Sequence, residues 1–362
     1  MSDRPRKRLL GLDALRGIAV FLMIEQHLGV WLWRGPGPGG SINDYPGLLI
    51  FNALGGGAAP AFVTLAGIGA SLLASKREQP DRTLVLRGLV IIGFGYLLSA
   101  LTPSWFSWQS WFVLHLMGFG MLVTPLLRRV PTPALLGIGL AILLATGWVQ
   151  AQIGVPIRLD NPYMSGRSPR SPDEWTALRI AVAEGQFPIF PWFSFYVAGL
   201  ACGRWIAADK LRHVATLAGS VLAVGLLGVA LRGLLAITPG TAIGRTTALT
   251  IPFFPASPTL AALLLGAVLL GIAAVMAWDR QRPLSDNNLL VTLGRASLTL
   301  LIVHVWLFRE ATRPVGMWQA LGVGETFAII SGFVVFAAVG SWLWQRVDYR
   351  FGAEWLLRKL AS

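Results

Sequence analysis

The stretch LLGLDALRGIAVFLMIEQHLGVWLW, residues 9–33, decides the fold class of this protein. About 20 apolar residues are enough for a helix to cross the hydrocarbon core of a membrane, and this run is longer than that. The apolar core of a secretory signal peptide has only about 7–15 residues, and this run also contains Asp13, Arg16, Glu25 and His27. We therefore interpret it as a retained first transmembrane helix.

Apolar runs of similar length recur along the whole chain. Of the 362 residues, 54% are hydrophobic and 13% are charged, whereas about 25% are charged in ordinary soluble domains. The sequence predicts an all-α, polytopic transmembrane bundle of about ten helices in one membrane domain, residues 1–362. The predicted spans are 9–33, 49–75, 84–102, 108–127, 133–152, 187–207, 213–237, 258–278, 289–308 and 324–345.

The distribution of basic residues predicts the topology. The net charge is +13, which by itself would be compatible with a nucleic-acid partner. However, 19 of the 30 Lys and Arg residues fall in loops on the side of the N-terminus and 9 fall on the opposite side. Because cytoplasmic loops of membrane proteins are enriched in Lys and Arg, both termini are expected in the cytoplasm. We predict a multi-pass protein of the cell (inner) membrane, surrounded by lipid, without a nucleic-acid partner.

Cysteine usage excludes some classes of site. Cys202 is the only cysteine, so the chain cannot form an internal disulfide and has no Cys-based zinc motif. We expect no metal site. The oligomeric state cannot be predicted from the sequence.

Polar residues inside the first helix are candidates for function, because ionisable groups are costly within a membrane. Arg16 and His27 are eleven residues apart, almost three helical turns, so they project from nearly the same face about 16 Å apart along the axis. Asp13 lies one turn before Arg16 and can pair with it, whereas Glu25 points nearly opposite to His27. Arg16 suits an anionic cofactor and His27 suits proton-transfer chemistry. The alternatives are a structural ion pair and a structural interhelical histidine.

A second group of polar residues lies in the ninth predicted helix. Arg295 is expected at the same depth as Arg16 and is a candidate for phosphate binding. Ser297 and His304 are seven residues apart and share a face. His304 and His115 are either structural or functional histidines.

The second predicted helix is rich in small residues. Its segment GGGAAPAFVTLAGIGASLL, residues 55–73, includes Gly67 and Ser71 at spacings that allow close packing of two helices. The alternative is a narrow cleft for substrate, with Pro60 interrupting the helix near the outer surface.

Four motifs together resemble a known family. They are LGLDALRGIAVFLMIEQH (10–27), GGGAAPAFVTLAGIGASLL (55–73), FPIFPWFSFYVAGLACGR (187–204) and LGRASLTLLIVH (293–304). In this order they resemble the bacterial relatives of heparan-α-glucosaminide N-acetyltransferase and, more distantly, the acyltransferase-3 family. Gln26 stands directly before His27, where bacterial relatives often carry an acidic residue, so the motifs leave the branch of the superfamily open.

The resemblance implies a membrane acyltransferase. It would move an acyl group, expected to be acetyl, from cytoplasmic acetyl-CoA as co-substrate to a hydroxyl or amine of an acceptor, expected to be a glycan, at the outer side. His27 and Arg16 match the catalytic pair of the family pattern, and Arg16 and Arg295 would bind the acyl-CoA, whose arm would extend along the first helix. The candidate substrate-binding residues are Glu25, Pro60, Ser71, His115 and His304. The alternative functions are a proton-coupled transporter or flippase, and a non-catalytic membrane scaffold.

Overall fold

The computed structural model describes residues 9–75, 79–157, 171–235, 237–249 and 254–361. The regular elements of this part of the chain are helices. In chain order they are α1 (Leu10–Leu32), α2 (Pro46–Gly55), α3 (Ala58–Ala74), α4 (Pro80–Leu101), α5 (Val113–Leu127), α6 (Thr132–Ile153), α7 (Thr176–Arg179), α8 (Ile189–Ala207), α9 (Leu211–Leu234), α10 (Ala242–Thr246), α11 (Pro258–Gln281), α12 (Leu289–Arg295), α13 (Ser297–Val305), α14 (Val323–Trp344) and α15 (Ala353–Leu360). Turns of π-helix continue α7 over Ile180–Glu184 and α13 over Trp306–Ala311.

The number of candidate spanning helices is roughly consistent with the prediction of about ten. Within the described ranges, seven helices are long and apolar enough to cross a membrane if α2 and α3 count as one, and the bent pair α12–α13 gives an eighth. Two further helices, the apolar α5 with 15 residues and the almost completely buried α8 with 19, are not among these candidates. The predicted fold class, an all-α membrane bundle, is confirmed.

Two contacts define the ends of the bundle. Where α1 begins, the backbone N–H of Gly11 donates to the carboxylate of Asp279, at the end of α11, over 2.9 Å. Where α1 ends, the N–H of Gln319, shortly before α14, donates to the carbonyl of Trp31 over 2.8 Å. We call the first the Arg16 end and the second the His27 end, after the α1 residues nearest to them.

Helices α3 and α8 pack with their backbones in contact. A Cβ atom on Gly67 would lie 2.2 Å from the carbonyl oxygen of Tyr196, and one on Gly199 would lie 2.2 Å from that of Thr64. Only glycine fits at such distances. Of the two alternatives for the small residues of the second span, the structure shows close helix packing at Gly67.

The predicted effect of Pro60 was wrong. The second span is interrupted before this residue, at Gly56 and Gly57, which separate α2 from α3. Pro60 lies in the first turn of α3 and is buried. A proline in the first turn breaks no helical hydrogen bond, because the first N–H groups of a helix have no partner within it.

The predicted span 289–308 is not one straight helix. It bends by 72° between α12 and α13, at Ala296. Before the bend, α12 lies against α1, and a Cβ atom on Gly294 would be only 1.9 Å from the carbonyl oxygen of Asp13. This contact places Arg295, the last residue of α12, beside the beginning of α1.

Residues 176–184 form α7 and its π-helical turn, preceded by Asp173. Arg179 donates two hydrogen bonds to the carboxylate of Asp173, at 2.9 and 2.7 Å. These bonds hold the pKa of Asp173 below its ordinary value.

Candidate active site

The structure brings together two histidines that are far apart in the sequence. His27 on α1 and His304 on α13 lie with Nδ1 of His27 2.8 Å from Nε2 of His304. Nδ1 of His304 is 2.7 Å from the carbonyl oxygen of Leu300, one turn earlier on the same helix. His304 is fully buried, whereas His27 is partly exposed.

These two distances fix the tautomers of both rings. A carbonyl oxygen only accepts, so Nδ1 of His304 carries the hydrogen that is donated to Leu300. In the neutral ring, Nε2 of His304 then has a lone pair and accepts from Nδ1–H of His27. The free lone pair of His27 is thus on Nε2, which makes no hydrogen bond with the described residues. The two hydrogen bonds therefore hold the His27 ring in one orientation, with the basic lone pair on Nε2.

Tryptophan rings form the walls around His27. The ring of Trp31, one turn later on α1, stacks on the imidazole at a centroid distance of 4.5 Å and an angle of 20°. Trp105, in the loop after α4, meets it edge-on at 5.9 Å. Trp31 is only 4% exposed. The contacts of both tryptophans with His27 assign them to the candidate site.

Two arginines that sequence reasoning did not select lie next to these walls. The guanidinium carbon of Arg309 is 5.3 Å from the ring centroid of Trp105 and 4.1 Å from that of Trp318. Arg313 lies 4.0 Å from the same Trp318 ring, and Trp318 stacks on Trp31 at 6.5 Å. The His27 end therefore carries positive charge close to the His27 imidazole. No sequence spacing predicts that these arginines lie near the first helix. Only the tertiary fold brings the segment after α13 close to His27.

The predicted pair Arg16 and Arg295 is also assembled, at the Arg16 end. Asp13 lies between them: one of its carboxylate oxygens is 2.7 Å from Nη1 of Arg16, and the other is 3.3 Å from Nε of Arg295. Arg295 also forms an ion pair with Asp286. The Arg16 side chain is 30% exposed and that of Arg295 is 11% exposed, so Arg16 is the more accessible of the two. The predicted pairing of Asp13 with Arg16 is confirmed.

The interval between Arg16 and His27 is filled. Val20 and Met23 lie on the same face of α1 between them, and they are 0% and 5% exposed within an apolar cluster. The extended arm of an acyl-CoA was expected to follow this face. In the structure the face is closed, because these two side chains pack against the neighbouring helices.

His115 lies away from the two paired histidines. A series of stacked rings separates it from His27: Trp105 and Phe106 at 4.4 Å, Phe106 and Phe112 at 4.2 Å, then Phe112 and His115 edge-on at 4.6 Å. His115 therefore has no contact with the His27 site, although it was a candidate together with His304.

Glu25 and Ser71 have different surroundings. Glu25 is completely buried, and within the part of the chain that the structure describes neither of its carboxyl oxygens has a hydrogen-bond partner. Ser71 lies near the end of α3, at the Arg16 end, and lines a cavity of about 190 Å³. The other residues lining it are Ala74, Ser75, Arg128, Leu200, Arg204 and Ala207. Of the candidate substrate-binding residues, His304 is the one with a hydrogen bond to His27 among the described residues.

Residues 8–237 match the family described as heparan-alpha-glucosaminide N-acetyltransferase, catalytic. The chain belongs to this family. Membership confirms the predicted relationship and indicates a membrane acetyltransferase. The comparison with curated proteins gave no match. The matched segment includes His27 and ends before α12, so the N-acetyltransferase match does not extend to His304.

Proposed function

We propose that this member of the N-acetyltransferase family transfers an acetyl group from acetyl-CoA to a hydroxyl or amine of an acceptor, with His27 as the catalytic base. The observation that carries the proposal is the hydrogen-bonded series from His27 through His304 to Leu300. It orients a partly exposed imidazole with Nε2 free to take a proton.

In the proposed reaction, Nε2 of His27 removes the proton from the acceptor as its oxygen or nitrogen attacks the thioester carbonyl. The new C–O or C–N bond forms, the C–S bond breaks, and the thiolate of CoA takes the proton back from His27. His304 accepts from Nδ1–H throughout and keeps the ring in place, so it acts as a positioning residue. A route in which Nε2 itself carries the acetyl group before passing it on uses the same geometry.

The Arg16 end is the proposed side of entry for acetyl-CoA. Arg16 is partly exposed there, and guanidinium groups form strong charge-assisted hydrogen bonds with phosphates. Arg295 supports Arg16 through their shared partner, Asp13. Val20 and Met23 have to move for the arm of the donor to reach His27 along α1. The excess of basic loops at this end supports a cytoplasmic location for it and a place in the cell membrane.

The acceptor is proposed to bind at the His27 end. Trp105 and Trp318, which are partly exposed, offer ring faces and edges that suit the apolar faces of a sugar, and Arg309 offers hydrogen-bond donors. A glycan acceptor at the outer side is consistent with these groups.

The test is acetyl transfer by the purified full chain in detergent or nanodiscs, with amino sugars as acceptors. We expect His27→Ala to lower kcat by about 10²–10⁴-fold, the usual contribution of a general base. His115→Ala is the matched control, because it removes a buried histidine outside the site. Equal activity of the two variants would contradict the role of His27. Acceptor flux into liposomes without acetyl-CoA would instead indicate a transporter.

A further inference from the structure

The segment after α14 is attached to both sides of the bend between α12 and α13. On the α12 side, the hydroxyl of Tyr349 donates to the carbonyl of Thr292 over 3.3 Å. On the α13 side, one carboxylate oxygen of Glu354 accepts from the N–H groups of Leu298 and Thr299, at 2.5 and 3.1 Å. Its other oxygen accepts from the Thr299 hydroxyl at 2.6 Å. The segment thus braces the bend.

Glu354 serves α13 as a cap supplied by another helix. The first N–H groups of a helix lack intrahelical partners, and a negative charge is favourable at that end. The N–H of Ala353, the first residue of α15, also donates to the Thr299 hydroxyl over 2.8 Å. The start of α15 is therefore fixed to the start of α13. Since α13 is a short helix that carries His304, a displacement of α15 is transmitted toward the His27–His304 contact.

The two faces of α15 differ. Ala353 and Leu357 pack against the bundle. On the other side, Leu356 is 37% exposed and Leu360 is 53% exposed, and Phe351, just before the helix, is 87% exposed. A helix with one exposed apolar face and a basic flank is typical of helices that lie in a membrane interface.

The charges around α15 favour an anionic surface. The segment contains four basic residues, Arg346, Arg350, Arg358 and Lys359, and two acidic residues, Asp348 and Glu354. The carboxylate of Glu354 is turned to α13, and Asp348 lies 3.8 Å from Arg358. The outward side of the segment is therefore basic, and anionic lipid headgroups attract such clusters next to a spanning helix.

We propose that α15 lies in the membrane interface at the Arg16 end and binds anionic lipid. Bound lipid holds Glu354 against the start of α13, stabilises the bend at Ala296 and so keeps His304 in place. The proposal concerns a lipid-dependent conformation and does not depend on the reaction proposed above.

The first experiment measures where α15 lies. Cys202 is the only cysteine and is buried, so Leu360→Cys provides one accessible label position in the full chain. The labelled protein is placed in nanodiscs of phosphatidylcholine, with or without phosphatidylglycerol. We expect a lipid-borne quencher to reach the fluorophore, and more strongly in the anionic discs. Arg358→Gln with Lys359→Gln removes this increase, because each basic residue near an anionic surface contributes about fivefold to binding.

The matched control is Lys210→Gln with Arg212→Gln, which removes the same charge from exposed residues at the start of α9, also at the Arg16 end. This control keeps the dependence on phosphatidylglycerol. If only an aqueous quencher reaches the fluorophore in both kinds of disc, α15 does not lie on the membrane. Its exposed face would then be covered by a second copy of the chain or by another protein.

The second experiment measures the connection to α13. Amide hydrogen exchange at Leu298 and Thr299 is expected to be at least about fivefold slower in the anionic discs. Glu354→Gln removes this protection and leaves the quenching at position 360 unchanged. Equal exchange in both kinds of disc, or a Glu354→Gln variant that behaves as the wild type, would overturn the connection.

Discussion

His304 lies directly beside His27, with Nε2 of His304 2.8 Å from Nδ1 of His27. The contact joins the first helix to α13 across 277 positions of sequence. Because Nδ1 of His304 is held by Leu300, His304 determines which nitrogen of His27 is free. His27 therefore has a defined orientation, which a lone histidine in a helix would lack.

Replacement of His304 is expected to impair catalysis more than binding. His304→Ala removes the acceptor for Nδ1–H of His27, so the ring can turn and change its tautomer. We expect kcat to fall about 10²-fold, the effect of misplacing a reacting group, while KM for acetyl-CoA changes little. Steady-state kinetics on the purified full chain measures both constants.

Rescue distinguishes positioning from a structural role of His304. His304→Gln can still accept from His27 through its amide oxygen and should recover part of kcat, whereas His115→Ala should stay near wild type. A KM effect alone, or identical kcat values for His304→Ala and His304→Gln, would contradict the positioning role.

Arg16 and Arg295 should respond differently to the same substitution. Arg16→Gln removes the more accessible guanidinium and is expected to raise KM for acetyl-CoA about tenfold, as the loss of one charge-assisted hydrogen bond. Arg295→Gln leaves both Asp13 and Asp286 without this partner and should lower the free energy of unfolding by about 1–3 kcal/mol. Donor titrations and thermal unfolding give the two quantities. A stable Arg295→Gln protein, or an unchanged KM in Arg16→Gln, would contradict this division of roles.

A methyl group added to either glycine at the contact between α3 and α8 should destabilise the protein. Gly67→Ala and Gly199→Ala each place a Cβ atom 2.2 Å from a backbone carbonyl oxygen. Overpacking of this kind costs about 1–3 kcal/mol. Gly219→Ala in α9 is the control, because nothing lies within 4 Å of its Cβ position and alanine favours a helix. Thermal unfolding in detergent should separate the first two variants from the third, and equal melting temperatures would disprove the close packing.

The buried Glu25 side chain is expected to lower the free energy of unfolding of the protein, although it is a candidate for substrate binding. Its buried carboxyl group has no hydrogen-bond partner among the described residues, and an unsatisfied buried group costs about 1–3 kcal/mol. Glu25→Met, of similar size and apolar, should therefore raise the free energy of unfolding by about that amount. If Glu25 contributes to substrate binding, the same variant also loses acetyl transfer. A less stable Glu25→Met protein would show that Glu25 has a structural role.

Much of the fold could be predicted from the sequence because each span carries its own signal. Apolar length alone predicts α1, α4 and α6, and their bounds agree with the prediction to a few residues. The sequence predicted neither the interruption at Gly56 nor the bend at Ala296, because each lies within a stretch that is long and apolar enough to form one continuous span. Such breaks and bends depend on the space between the neighbouring helices, which the sequence of one span does not show.

By itself, the sequence determined the membrane class, the approximate positions of most spans and the shared face of Arg16 and His27, because hydropathy and helical periodicity are local properties. The tertiary structure alone decided that His304 orients His27, that His115 lies outside the site and that Asp13 joins Arg16 to Arg295. It also placed Trp105 against His27, and Arg309 against the rings of Trp105 and Trp318. These contacts join helices and loops that are distant in the sequence, and only the packing of the bundle selects which of many polar residues within the spans meet.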